Sequence, residues 1–147
     1  MTDESLCYLS ATEAIAAFKS KELSPVELMQ AVVDRAEAVN PTINAFTFKY
    51  FERAMQSAKT AEARYVKGNP RALEGIPLVI KDETSLKGHR TTSGGSLVFK
   101  DHIDTETAIS AQRIQRAGAI IHGRSTAPEF SSAGVTHSKL WGITRNP

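Results

Sequence analysis

Two short runs, IPLVI at 76–80 and AIIHG at 119–123, constrain this chain more than any other feature. IPLVI is too short for a helix, rich in branched residues and apolar on every side, as a strand buried on both faces should be, and AIIHG reads as a second such strand. Between them lies a helical pattern with Ala108, Ile109, Ala111 and Ile114 inward. It is expected to be capped by Asp104 or Thr105, to reach about Arg116 and to end at Gly118. Strand, helix, strand gives a right-handed crossover with parallel strands, the βαβ unit of an α/β fold.

Ahead of this unit, residues 1 to about 70 read as helical. Ser10 with Glu13 and Ser24 with Glu27 form two capping boxes, and Pro25 falls at a first helical position, where its missing N–H costs nothing. Ala14, Ile15 and Phe18 share a face of the first helix. Val26, Met29, Val32, Val33 and Ala36 recur at helical spacing until Asn40-Pro41, which is expected to stop the run. After an extended piece, INAFTF, a third helix is expected from Tyr50 to Lys67, with Met55, Ala58, Ala61 and Tyr65 inward, closed by Gly68 and Pro70.

Composition narrows the function classes. With 41% apolar and 23% charged residues, 147 residues suffice for one domain with a real core. No run reaches the roughly 18 apolar residues of a membrane span, and MTDESLCYLS is not a signal peptide, so a cytoplasmic location is expected. The 18 basic and 16 acidic residues are interleaved, which argues against direct nucleic-acid binding. Cys7 is the sole cysteine, excluding an internal disulfide or a Cys-based zinc site, and it falls in a leader expected to fray. The histidines at 89, 102, 122 and 137 lack metal-ligand spacing. His122, inside a strand, reads as structural and the others as exposed. Neither metal nor cofactor is expected.

The connection from Lys81 to Ile103 is long for a compact domain and leaves the carboxyl end of a parallel strand, where open α/β sheets place ligands. Its HRTTSGGS segment lacks the Gly-Lys-Ser/Thr ending of a phosphate loop and reads as a flexible loop offering N–H groups and hydroxyls. Ser93 and Ser96 are outside any Gly-x-Ser-x-Gly elbow. Lys81 reads on composition as a lysine reaching solvent past its strand. A catalytic reading needs a neutral amine near pH 7, hence a desolvated side chain; Asp82 would oppose it, but adjacent strand residues point to opposite faces. Phe130 to Pro147 is expected to reach no further strand or helix, with Trp141 as an anchor, and the chain looks unfinished.

GIPLVIKD, a loop carrying TTSGGS, AGAIIHGRSTAPEF and LWGITRNP, in this order, resemble the N-terminal portion of the amidase signature family, as does the SPVEL helix start. The resemblance implies a large α/β/α sandwich on a mixed sheet and hydrolysis of amides, sometimes esters, by a Ser-cisSer-Lys triad without metal. Its lysine maps onto Lys81. Both triad serines follow the Asn-Pro block, here Asn146-Pro147, so this chain holds one member of three; Ala127 replaces a usual Asn. The expectation is therefore the N-terminal part of one amidase-type domain, helical over about 1–70 and opening the sheet core over about 73–147, with its C-terminal remainder absent. Such a chain would be inactive alone. Its expected partners are a small-molecule amide and the missing C-terminal part, and a homo-oligomer is allowed for. Alternatives are an amidotransferase subunit that acts on misacylated tRNA and a non-catalytic truncated relative serving as a binding or assembly module.

Overall fold

The computed structural model describes residues 4–147. In chain order the elements are α1 (Ala11–Ser20), α2 (Pro25–Ile43), β1 (Phe46–Lys49), α3 (Phe51–Val66), β2 (Pro77–Lys81), α4 (Ile109–Ala117), β3 (Ile120–Ser125), β4 (His137–Ser138) and β5 (Gly142–Ile143). Two compact units divide them: residues up to Ala38 with Tyr50–Leu78 and Ile114–His122, and Val39–Lys49 with Val79–Arg113 and Gly123–Pro147.

In the first unit both capping boxes form as expected. The Ser10 N–H donates to Glu13 at 2.8 Å and the Ser24 N–H to Glu27 at 2.7 Å, while each glutamate N–H donates back to the serine hydroxyl. Three small residues on α3, Ala54, Ala58 and Ala61, leave room for Met29 and Val33 of α2 and for Ile120, all buried. Phe18 is buried with Ala14 and Leu28 and meets Tyr65 edge-on, 5.4 Å between ring centres. Burying side chains such as Phe18 or Met29 contributes about 1.5–3 kcal/mol each. The leader does not fray where it is described: Glu4–Tyr8 forms a 3-10 turn, and the Cys7 thiol lies 3.5 Å from the Ala31 carbonyl.

Buried Glu74 accepts hydrogen bonds from Arg71 at 2.6 and 2.8 Å and fixes the entry to β2. Next to it Gly75 has φ +82°, and an added Cβ would stand 2.8 Å from Cβ of Pro25, so neither the conformation nor the space admits a side chain.

The strands form one sheet in the order β1-β3-β2 and a separate hairpin, β4-β5. β1 is antiparallel to β3, pairing Phe46 with Ser125 and Lys49 with Gly123. The Ile120 N–H donates to the Ile76 carbonyl and the Asp82 N–H to the Ser125 carbonyl, so β2 and β3 run in the same direction. The sheet is mixed, and α4 lies in sequence between its parallel strands, as the βαβ reading expects.

Several expectations need correction. α2 passes through Asn40-Pro41 to Ile43: proline in a last turn forfeits one hydrogen bond, and the Asn40 side chain then caps the exit by accepting the N–H groups of Ala45 and Phe46. α4 starts at Ile109, because the Asp104 carboxylate is taken by buried partners and is not free to cap. Ile109, expected inward, is exposed. The tail, expected to reach no further helix or strand, forms a 3-10 turn at Glu129–Ser131 and the β4-β5 hairpin. His89 is half-buried where exposure was expected, whereas His102 and His137 are exposed. Among the described residues no helix is long and apolar enough to cross a membrane.

Candidate active site

The end of β2 and the residue that follows it place two consecutive side chains in opposite environments. Lys81 ends the strand with its side chain 42% exposed, while the side chain of Asp82 is fully buried. The opposite placement expected of these two neighbours therefore holds, although Asp82 stands in the turn after the strand. The dry pocket expected around the lysine does not: the described residues leave the Lys81 amine open to water and paired with charge.

That pairing is specific. Thr84 N–H donates to the Lys81 carbonyl at 3.0 Å, a turn that brings Glu83 back to the lysine. Lys81 Nζ lies 3.0 Å from Glu83 Oε1 and donates to Ser131 Oγ at 2.6 Å. The Ser131 hydroxyl in turn donates to Glu83 Oε2. Bonded by the Ser131 hydroxyl and then by Lys81, the Glu83 carboxyl is held below the usual carboxylate range. Beside these groups opens a cleft of about 510 Å³, bordered by Glu83, Thr84, Ser85, Ser93, Ser110 and Phe130.

Beneath the lysine is a buried polar network. Arg124 of β3, fully buried, faces Asp82 Oδ1 through its Nε at 3.6 Å and Asp104 Oδ2 through Nη1 at 3.9 Å, as ion pairs. Its guanidinium also donates to the carbonyls of Arg90 and Thr84. Asp82 accepts the Thr92 N–H at 3.0 Å and the Thr92 hydroxyl. The same hydroxyl accepts from Trp141 Nε1 at 2.9 Å and from the Gly95 N–H at 3.0 Å, which fills its capacity of one donor and two acceptor sites. Burial pushes the Asp82 carboxyl above its ordinary range, opposed by the Thr92 bonds, the Arg124 charge and Trp141. Asp104 accepts the Leu86 N–H at 2.7 Å and the Thr91 hydroxyl.

The long connection is thus not the flexible loop expected from HRTTSGGS. Thr91, Thr92 and Ser96 are buried, and the segment is tied at Asp82, Asp104 and Arg124. Gly95, at φ +87°, lets the backbone pass against the Trp141 ring, where an added Cβ would stand 2.8 Å from Cδ1. Trp141, expected as an anchor, meets Phe48 edge-on at 5.1 Å.

Sequence reasoning did not assign the roles of Arg124, Asp104, Thr92, Glu83 and Ser131. Arg124 had a signal: an arginine directly following an apolar strand core must find anionic partners if buried. Ser93 and Ser96 make no hydrogen bond to Lys81; the Ser93 carbonyl accepts the Phe130 N–H, and the Ser96 N–H donates to Thr92. His122 is buried and stacks on Phe51 at 6.3 Å, and desolvation pushes its imidazole down to about 4. Among the described residues no group of three or more His, Cys, Asp or Glu is placed to hold a metal ion.

Comparison with known proteins locates this arrangement. The model of the family described as Amidase matches residues 27–147. An acylamidase of Rhodococcus erythropolis is 37% identical over 150 residues, covering 100% of this chain and 31% of that protein. A glutamyl-tRNA(Gln) amidotransferase subunit of Carboxydothermus hydrogenoformans is 35% identical over 143 residues, covering 97% and 29%. The crystal structure of a bacterial aryl acylamidase of the amidase signature family superposes with a TM-score of 0.88 at 28% identity, over 95% of this chain and 29% of that one. The chain thus spans just under a third of the length of these relatives. The chain belongs to the amidase signature family.

Proposed function

We propose that this chain supplies the lysine arm of an active site that hydrolyses carbon–nitrogen bonds of amides, with Lys81 as the lysine of a Ser-cisSer-Lys triad. The observation that carries the reading is the placement of Lys81: last residue of a strand, its side chain open to solvent and held by Glu83 and Ser131, next in sequence to the buried Asp82 that pairs with Arg124. Family membership supplies the reaction class.

In this reading both serines come from polypeptide beyond these residues, and their packing over Lys81 removes the water that now reaches it. The neutral amine then accepts the proton of the bridging serine, which takes that of the attacking serine as it adds to the amide carbonyl. Proton return to the departing nitrogen releases the amine, and water cleaves the acyl-enzyme. The 147-residue chain alone holds none of the attacking groups and is inactive.

The test joins this chain to the following two thirds of an acylamidase relative and assays an aryl amide. Hydrolysis is expected from the joined protein, with none from Lys81→Ala or from the 147-residue chain. Undiminished turnover by the Lys81→Ala version would overturn the assignment. The 35% identity with an amidotransferase subunit supports a second reading, in which the same lysine serves a transferase for misacylated tRNA. It predicts that the joined protein's activity depends on added partner subunits.

A further inference from the structure

Lys81, Glu83 and Ser131 close a ring of three side chains. Lys81 Nζ donates to Ser131 Oγ at 2.6 Å, Ser131 donates to Glu83 Oε2, and Glu83 Oε1 stands 3.0 Å from Lys81 Nζ. Because the Ser131 proton is committed to the carboxylate, only a lone pair of that hydroxyl faces the amine. An ammonium has three N–H groups, and this ring engages two of them.

The backbone beneath Ser131 is unusual as well. Phe130 and Ser131 are consecutive non-glycine residues in the left-handed region, at φ 51° and 53°. For a residue with a Cβ this conformation is sterically unfavourable and persists only where the surroundings enforce it. The enforcing bonds are the Phe130 N–H to the Ser93 carbonyl and the Ser131 N–H to the Pro128 carbonyl, both 2.9 Å. A glycine at 131 would adopt this conformation without cost, but it would leave the lysine without the hydroxyl.

We propose that Ser131 and Glu83 are positioning residues for Lys81, engaging two of its N–H groups so that its third valence points away from both. Resting on the assignment of Lys81 as the proton acceptor, this fixes where the lone pair of the neutral amine lies: two N–H groups stay on Ser131 and Glu83, and the lone pair takes the third direction. Neither residue exchanges a proton with substrate. Their contribution is to remove the rotational freedom of a long, exposed side chain before the reacting groups arrive.

The experiment uses the 147-residue chain and NMR of its lysine ammonium groups, so it reads positioning whether or not Lys81 proves catalytic. In the wild type, Lys81 is expected to show slower ammonium proton exchange than the exposed Lys19. In Ser131→Gly and in Glu83→Gln that exchange is expected to accelerate roughly fivefold, the equivalent of one ordinary hydrogen bond. Ser131→Gly also relieves the left-handed backbone, so its unfolding midpoint should stay level or rise while Lys81 is released, a combination that a merely structural serine would not give. A Lys81 ammonium as mobile as Lys19 in the wild type, or one unchanged in both variants, would overturn the proposal. Failure of the catalytic assignment shows elsewhere, as retained activity of Lys81→Ala in the joined protein.

Discussion

The carboxylate of Asp82 and the guanidinium of Arg124 face each other at 3.6 Å with both side chains fully shielded from water. One residue earlier, Lys81 stands 42% exposed. The strand end therefore places a water-facing cation directly beside a buried ion pair that cannot move without exposing charge. Asp104 extends the pair into a triad, with Arg124 between two carboxylates.

Removing Arg124 isolates both carboxylates. Arg124→Met is expected to destabilise the chain by about 3–5 kcal/mol, since a buried charge stripped of its partner keeps its desolvation cost. Adding Asp82→Asn to that variant should recover part of the loss. Urea unfolding monitored by circular dichroism measures both, and a single variant within about 1 kcal/mol of wild type would contradict the network.

Lys81→Ala should behave in the opposite way. Its ion pair with Glu83 is solvent-exposed, and such pairs contribute about 0–1 kcal/mol. The unfolding midpoint is expected to stay close to wild type while activity of the joined protein disappears. A severe loss of stability would mean that the lysine holds the fold rather than serves the reaction.

These contrasting neighbours show what the sequence could convey. Ser10, Glu13, Ser24 and Glu27 announced their helix starts because a capping box is complete within four residues and owes nothing to the rest of the molecule. The strand β2 was equally legible as an element from its short branched run IPLVI, but the burial on both faces expected of it is not met: Ile80 is buried while Ile76 to Val79 are half-buried. Asp104 misled for the opposite reason: by local pattern it is a helix cap, but its carboxylate is claimed by Leu86, Thr91 and Arg124, partners distant in the chain. The order within HRTTSGGS was hidden in the same way. Small polar residues look mobile until a buried Asp82 supplies the acceptor that Thr92 needs. The exposure of Lys81 agrees with the compositional reading of a lysine reaching solvent past its strand, whereas the desolvation that the catalytic reading needs depends on what covers the strand end and not on the strand itself.

His122 makes stability depend on pH. Its imidazole falls from an ordinary 6.5 to about 4 on folding, mainly through burial. The folded state thus binds fewer protons than the unfolded one between these values. The contribution is fully present above 6.5 and is lost as pH falls toward 4. Between pH 7.5 and 5 this amounts to about 2 kcal/mol. His122→Phe, which keeps an aromatic ring against Phe51, should remove that slope. Asp82, raised on folding, acts with opposite sign, losing stability as pH rises above its unfolded value near 3.8. Unfolding curves at the two pH values, for wild type and variant, decide the point; parallel pH dependence would rule His122 out as its source.

The Thr92 hydroxyl offers the sharpest test of the buried network because all of its bonding capacity is used. It donates to Asp82 and accepts from Trp141 Nε1 and from the Gly95 N–H. Thr92→Val preserves shape but strands three polar partners, with an expected cost of about 1–3 kcal/mol. Thr92→Ser retains the hydroxyl and should lie much closer to wild type. Trp141 is the only tryptophan, so its fluorescence reports this site directly. In the valine variant the indole N–H must seek water, and emission should shift to longer wavelength under native conditions while the serine variant keeps the wild-type spectrum. If the valine and serine variants gave the same midpoint and emission maximum, the hydroxyl would have no part in tying the Gly95 loop and the indole to Asp82.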